Sequence, residues 1–166
     1  MTRRRARVLG ALAAALALTA TGLTVRTAQL NASPAAENRA LTDAEATDRA
    51  VGDVSNTLAK IFSYGPDSLD ATRQDAKSAL GGRAAKEYAT LFAQVRERVR
   101  RQRLTLTTTV VRVGVRSLHD GTAQLLAFLD QTAARDGKKP STTAAQLSMT
   151  AELDGGTWRI TRITAR

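Results

Sequence analysis

The stretch LTLTTTVVRVGVRSL, Leu104–Leu118, decides the fold, because the spacing of hydrophobic residues changes there from helical to alternating. Before it, apolar residues recur at intervals of three and four, as on one face of an amphipathic helix. Within it and after it, β-branched residues alternate with polar ones, as they do in strands. The pattern predicts an α+β chain in which helices come first and an antiparallel sheet follows.

Three helices are predicted before this stretch. A capping box formed by Thr42 and Glu45, with Thr42 as the cap, marks the start of the first helix. The sequence SYGPD ends it, because proline and glycine do not continue a helix. The second and third helices are predicted over Ser68–Leu80 and Arg83–Arg103, with a pair of glycines between them.

Four strands are predicted from the alternating part of the chain. They are Leu104–Leu118, Ala123–Gln131, Thr142–Leu153 and Thr157–Ala165. The charged segment Thr132–Ser141 is predicted to be a loop, and Gly114 a bulge or bend that curves the sheet. The second strand is apolar on both faces, which predicts cover on both sides or a cavity wall. We therefore expect three helices packed on a curved four-stranded antiparallel sheet, in the shape of a cone.

The N-terminus predicts a membrane anchor. The apolar run Val8–Val25 carries no charge and approaches the roughly 20 residues that cross a bilayer. Four arginines precede it and favour a cytoplasmic N-terminus. We predict a basic cytoplasmic head (1–7), a transmembrane helix (8–25), a linker (26–40) and an extracytoplasmic domain (41–166). The alternative is a cleaved signal peptide that leaves a secreted domain.

Composition argues against several kinds of chemistry. The chain has no cysteine and one histidine, so disulfides, thiolate catalysis and an ordinary zinc site are not expected. The net charge of +10 is in the range of proteins that bind nucleic acid. A nucleic-acid site would need interleaved aromatic residues or a known motif, and the basic segment RERVRRQR (96–103) has neither. No cofactor, metal or nucleic-acid partner is expected.

Asp130, at the end of the predicted second strand, is the candidate for catalysis. A base inside the cone would need an oxyanion partner, commonly a tyrosine. Only Tyr64 and Tyr88 are available, and Tyr88 already belongs to an apolar helix stripe. We therefore expect Asp130 to be structural, His119 to be an exposed turn residue and Trp158 to pack in the core. The chain is not expected to be an enzyme.

The order and spacing of several motifs resemble the Mce-associated membrane proteins of actinobacteria. The motifs are ATDRAV, IFSYGPDSLDA, VVRVGV, LLAFLDQ and DGGTWRITRI, and the similarity runs from about Arg3 to Ile163. The resemblance implies a nuclear-transport-factor-like domain of the SnoaL-like class. It also implies a non-catalytic accessory subunit that stabilises a lipid or sterol import system, with Mce subunits as partners. A scaffold subunit of another envelope machine, such as type IV secretion, and an exported SnoaL-like enzyme are the alternatives.

The basic segment RERVRRQR is the candidate interaction site. Like charges repel one another, so folding alone gives no reason to cluster them. We predict that these arginines contact an acidic partner surface or anionic lipid headgroups. The residues are Arg96, Arg98, Arg100, Arg101 and Arg103.

Overall fold

Three helices precede four strands in the computed structural model, which describes residues 38–166. The helices are α1 (Ala44–Ile61), α2 (Leu69–Ala79) and α3 (Gly82–Gln102). The strands are β1 (Thr105–His119), β2 (Thr122–Arg135), β3 (Lys138–Asp154) and β4 (Thr157–Ala165). The strands form one antiparallel sheet in the order β1-β2-β3-β4, so the predicted α+β arrangement is confirmed.

The predicted head and transmembrane helix, and most of the predicted linker, lie outside the described residues. Within residues 38–166, none of the helices combines the length and the apolar character that a membrane crossing needs. Residues Arg39–Arg166 form a compact unit with a hydrophobic core. The amide of Arg39 donates a hydrogen bond of 2.8 Å to the carbonyl of Leu118, which ties the start of this unit to the end of β1.

One face of the sheet packs against the helices and carries the core. Successive strand residues point to opposite faces, and Leu125, Ala127 and Leu129 of β2 all point inward and are buried. They share one buried cluster with Val54 and Leu58 of α1. Side chains of β3 and β4 complete the cluster: Leu147, Met149, Ala151, Trp158 and Ile160. Burial of each large aliphatic side chain stabilises the fold by about 1.5–3 kcal/mol.

The cap of α1 lies one residue later than predicted. Oδ1 of Asp43 accepts a hydrogen bond of 3.0 Å from the amide of Ala46, while Thr42 lies in the preceding turn. A carboxylate suits this position better than a hydroxyl, because its negative charge also interacts favourably with the positive end of the helix dipole.

The pair of glycines between α2 and α3 ends a helix and also avoids a steric clash with β4. Gly82 is the first residue of α3 and has φ +51. A Cβ atom there would lie 3.3 Å from the carbonyl oxygen of Thr161 on β4. Gly82 therefore lets the start of α3 approach the edge of the sheet, where the amide of Gly81 donates to the carbonyl of Ile160 at 2.9 Å.

The segment Thr132–Ser141, predicted to be a loop, is part of a long hairpin. β2 and β3 stay paired through it, and the turn is confined to Asp136-Gly137. Apart from Ala133 and Ala134 the segment has no apolar side chains except that of Pro140, so no alternation marks it as strand. Pro140 is tolerated in β3 because β4 pairs only with residues Leu147–Asp154, which leaves the start of β3 as an edge.

The irregularities of β1 lie on either side of Gly114 and not at it. The register between β1 and β2 shifts at Val111 and again at Arg116. Gly114 itself pairs regularly with Leu126, and a Cβ atom there would meet nothing within 4 Å. The prediction of a bulge at Gly114 was therefore wrong in position, because bulges are set by strand pairing and carry no fixed residue type outside the left-handed region.

Candidate functional site

Asp130 does not face the interior of the fold. Its neighbour Leu129 is buried and Asp130 is exposed, because the two side chains lie on opposite faces of β2. Asp130 pairs with Thr109 and Ala144 within the sheet. The prediction that it ends a strand was wrong, because β2 continues to Arg135. This placement removes Asp130 as a candidate base inside the fold.

Gln131 points inward and belongs to a hydrogen-bond network at the end of α1. Its Nε2 donates to Oγ1 of Thr108 at 3.2 Å, and the Thr108 hydroxyl donates to the carbonyl of Phe62 at 2.7 Å. The hydroxyl of Ser63 accepts from the Thr108 amide at 2.9 Å. The network gives partners to backbone groups where α1 meets the sheet, which is a structural role.

The two tyrosines considered as oxyanion partners are engaged in packing. The hydroxyl of Tyr88 donates to the carbonyl of Ile61 at 2.7 Å, and its ring stacks on Phe92 with centroids 5.3 Å apart. Tyr64 packs edge-on against the same Phe92 at 5.7 Å. Burial raises the pKa of both hydroxyls, and nearby Tyr64 and Asp75 add to the rise in the pKa of Tyr88. Both therefore stay neutral at physiological pH.

His119 and Trp158 lie where the sequence predicts. His119 is exposed at the end of β1, with Nε2 at 3.0 Å from Oδ2 of Asp120. Trp158 is buried, and its amide donates to Oδ2 of Asp53 at 3.0 Å. In the described part of the chain, no group of three or more His, Asp or Glu side chains is placed to hold a metal ion.

The arginines of the predicted site point in different directions. The buried face of α3 carries Phe92 and Val99. At about 100° per residue, Arg98, Arg100 and Arg101 diverge from that face and from one another, and all three are exposed. Among residues 38–166, these three side chains make no ion pair or hydrogen bond. They are free to contact a partner, but no single flat surface reaches all of them.

Arg103 differs from the other arginines because it lies outside the helix. It is the left-handed residue that ends α3, with φ 45. Its Nε lies 3.0 Å from Oδ2 of Asp136 at the tip of the β2–β3 hairpin, and both side chains are largely exposed. An exposed pair of this kind contributes at most about 1 kcal/mol. Arg103 therefore links the end of α3 to the hairpin.

Arg96 lies beside the buried face of α3, at one end of a groove of 330 Å³ between α2 and α3. Its Nε is buried and has no hydrogen-bond partner among the described residues. The groove floor includes Tyr88 and Phe92, and two cations of α2, Arg73 and Lys77, also line it. The sequence placed Arg96 within a charge cluster, but the groove depends on how α2 packs on α3.

A polar cleft of 520 Å³ lies between α1, α2 and the β3–β4 turn, and sequence reasoning did not find it. Its residues come from elements far apart in the chain. Arg159 donates through Nη1 to Asp154 at 3.0 Å and through Nη2 to the carbonyl of Leu80 at 2.8 Å. Asp53 accepts from the amide of Trp158. These charges serve the packing of α1 and α2 on β4.

The outer face of the sheet is not covered by the three helices. Phe128 is 42% exposed there and Leu126 is half-buried. Arg112 pairs with Phe128 across the strands, and Arg162 lies on the same face of β4. Of the two predicted alternatives for the second strand, cover on both sides or a cavity wall, the first is therefore wrong among residues 38–166. Its outer apolar residues form a surface with arginines beside it.

Comparison with proteins of known sequence finds uncharacterised relatives. The chain is 34% identical over 125 residues to uncharacterised proteins of two Mycobacterium tuberculosis strains, CDC 1551 and H37Rv. The match takes in 74% of this chain but 57% of the relatives, so it spans little more than half of their length. No protein-family model matches the chain.

Solved structures of similar fold come from several kinds of protein. The periplasmic domain of DotI has a TM-score of 0.60 at 8% identity, covering 70% of this chain and 91% of that one. An IcmL-like type IV secretion system protein of Legionella pneumophila has a TM-score of 0.59 at 7% identity, covering 70% and 88%. The intermembrane space region of the chloroplast protein ARC6 has a TM-score of 0.52 at 17% identity, covering 74% and 95%.

At these identities the likeness concerns the fold alone. It confirms the predicted nuclear-transport-factor-like fold, with three helices on a four-stranded antiparallel sheet. Membership of the Mce-associated family stays a prediction.

Proposed function

We propose that this chain is a non-catalytic scaffold subunit of a cell-envelope complex, held at the membrane by residues 8–25. The observation that carries the proposal is the filled interior of the fold. The inner face of the sheet is closed by Leu125, Met149 and Trp158 packed with the helices. Polar groups that converge in an enclosed pocket are the usual mark of an enzyme of this shape. Here the interior serves stability, and the exposed faces are left for partners.

The IcmL-like type IV secretion system protein among the structures of similar fold supports the first candidate, a subunit of a secretion-type assembly. The sequence motifs that resemble Mce-associated proteins support the second candidate, an accessory subunit of a lipid or sterol import system. Both candidates place residues 41–166 outside the cytoplasm and assign them the same task, which is to hold other subunits. They differ in the identity of those subunits.

The exposed arginines of α3 supply a contact that an acidic partner would recognise. Arg98, Arg100 and Arg101 are exposed, and none is paired within residues 38–166. Exposed charges such as these steer and orient a partner more than they add affinity, even though no single flat surface reaches all three. The interaction should weaken with salt, because the screening length falls to about 10 Å at 0.1 M ionic strength.

The test is photo-crosslinking of the full chain in its native host, with a photoreactive amino acid at position 98 or 101. Crosslinks to secretion subunits favour the first candidate, and crosslinks to Mce subunits favour the second. Replacement of Arg98, Arg100 and Arg101 by Gln should reduce the crosslinked product at least threefold. The matched control removes three exposed charges elsewhere, by Gln at Arg135, Lys138 and Lys139. No crosslink to any membrane-complex subunit would refute the proposal.

Topology is tested separately with alkaline phosphatase fused after Arg166. The enzyme is active only outside the cytoplasm, so an active fusion supports the proposed orientation, which the arginines before residue 8 favour. A mature chain that lacks residues 8–25 would replace the anchor with a cleaved signal.

A further inference from the structure

The groove between α2 and α3 has the chemistry of a ligand site. Its walls are apolar, and small side chains on one stripe of α3 leave room for a ligand above the aromatic floor: Ala85, Ala89 and Ala93. The floor is the stacked pair Tyr88 and Phe92. A volume of 330 Å³ lies at the lower end of the roughly 300–1,000 Å³ range of small-molecule sites.

The charged residues that line the groove are all cations. Arg73, Lys77 and Arg96 line it, and none of the described lining residues is a carboxylate. Arg73 has an exposed partner in Asp70 at 3.7 Å, whereas Lys77 and Arg96 make no ion pair among residues 38–166. A groove with apolar walls and a cationic rim is complementary to a molecule with an alkyl chain and an anionic head.

The buried Nε of Arg96 is the second observation that points to a ligand. A buried donor without an acceptor destabilises the folded chain, and more so when it belongs to a charged group. Most buried polar groups in proteins are satisfied, so the orphan marks a guanidinium beside the groove to which the described residues offer no acceptor. A carboxylate or phosphate oxygen is the acceptor that a guanidinium binds best.

We propose that this groove binds an anionic amphiphile, with its head at Arg96 and its alkyl chain along Ala89 and Ala93 over Phe92. Carboxylate and phosphate heads share the required chemistry. Tyr88 is not the head-binding group, because its hydroxyl already donates to the carbonyl of Ile61. This inference does not depend on the proposed scaffold function, because it concerns a small molecule and not a protein partner.

The test uses the purified full chain in discs of zwitterionic lipid and a dodecanoic acid that carries a diazirine in its tail. Light should attach the probe to residues of α2 and α3 that line the groove. Dodecanoate and dodecyl phosphate should both compete with the probe. The more effective competitor shows whether the site prefers a carboxylate or a phosphate headgroup. Dodecanol has the same chain without the charge and should compete at least fivefold less well.

Two variants locate the site. Ala93→Trp fills the groove from an exposed position, and Arg96→Gln removes the charge, so each should reduce labelling at least fivefold. Their matched controls are Gln94→Trp and Arg98→Gln, which lie on exposed parts of α3 outside the groove and should label normally. Circular dichroism checks that all four are folded. Labelling elsewhere, unchanged labelling of Ala93→Trp and Arg96→Gln, or equal competition by dodecanol would overturn the proposal.

Discussion

Neighbouring residues of one strand have opposite environments in this protein. Asp130 is exposed on the outer face of the sheet, and Gln131 is hydrogen-bonded to Thr108 on the inner face. In the sequence, both residues look like the polar end of an apolar strand. Only the length of β2 shows that neither residue ends it. Asp130, the candidate for catalysis, therefore lies on the surface. Gln131 belongs to the hydrogen-bond network that connects the end of α1 to the sheet.

Substitutions at Asp130 and Thr108 should separate these two environments. Asp130→Asn is expected to change the free energy of unfolding by no more than about 0.5 kcal/mol, because the side chain is exposed. Thr108→Val should cost about 1–3 kcal/mol, because it leaves the carbonyl of Phe62 without its donor. Urea unfolding of the full chain measures both. Similar costs for the two variants would contradict their placement.

The hydroxyl of Tyr88 should contribute to stability at neutral pH. Tyr88→Phe is expected to cost about 1–2 kcal/mol, because the carbonyl of Ile61 loses its donor. Tyr64→Phe keeps the ring contact with Phe92 and is the matched control, expected to cost less than about 0.5 kcal/mol. Urea unfolding at pH 7 is the measurement, and a larger cost at Tyr64 would be evidence against this assignment.

Stability should also fall at alkaline pH because of the same hydroxyl. The folded-state pKa of Tyr88 lies above the ordinary value of 10.0, so the unfolded chain releases this proton first as pH rises. The unfolded state then binds fewer protons than the folded state, and the free energy of unfolding decreases. This contribution is fully present below pH 10 and is lost above it. The decline between pH 10 and 11 should be smaller in Tyr88→Phe than in the unmodified chain.

At the scale of elements, the helices and most strand boundaries were predictable, but the end of β2 and the start of β3 were not. Half-buried elements show their period in the sequence, as β2 does with Leu125, Ala127 and Leu129. The hairpin across Thr132–Ser141 has adjacent alanines and otherwise mostly polar residues, so it shows no period. The groove beside Arg96 was not predictable either, because its second wall belongs to α2 and no local pattern records that packing.

The junction of α2 and α3 depends on Gly82. Gly82→Ala should destabilise the protein by about 1–3 kcal/mol, because alanine is strained at φ +51 and its Cβ would press on the carbonyl of Thr161. Gly52→Ala is the matched control inside α1, where a Cβ meets nothing within 4 Å. It should stabilise the helix by about 0.5–1 kcal/mol. Thermal unfolding measures both, and shifts of the same sign would contradict this account.

At the scale of the whole molecule, the two faces of the sheet differ, because one contributes to the core and the other is exposed. The inner face is closed by the helices, whereas the outer face exposes Phe128 between strands that carry Arg112 and Gln146. The α+β layout followed from the order of the elements, with three helices before a four-stranded meander. The nuclear-transport-factor-like fold was implied by the resemblance to Mce-associated proteins. The sequence did not predict which face of the sheet stays exposed, because β2 carries apolar residues on both faces.

Alanine substitutions on the two faces of β2 should differ in cost. Leu129→Ala is expected to lower the free energy of unfolding by about 2–5 kcal/mol, because it leaves a cavity in the core. Phe128→Ala should cost about 1 kcal/mol or less, because 42% of the side chain is already exposed. Urea unfolding gives both values. A larger cost at Phe128 would mean that another part of the chain covers the outer face.

The place of β4 in the core affects how the chain acquires its structure during synthesis. Trp158 and Ile160 come late in the sequence, yet they share a buried cluster with Ala50 and Val54 of α1. A nascent or prematurely terminated chain without β4 therefore leaves the apolar face of α1 uncovered. Exposed surface of this kind attracts chaperones and proteases. Degradation should thus remove incomplete chains and spare those whose last strand has been made.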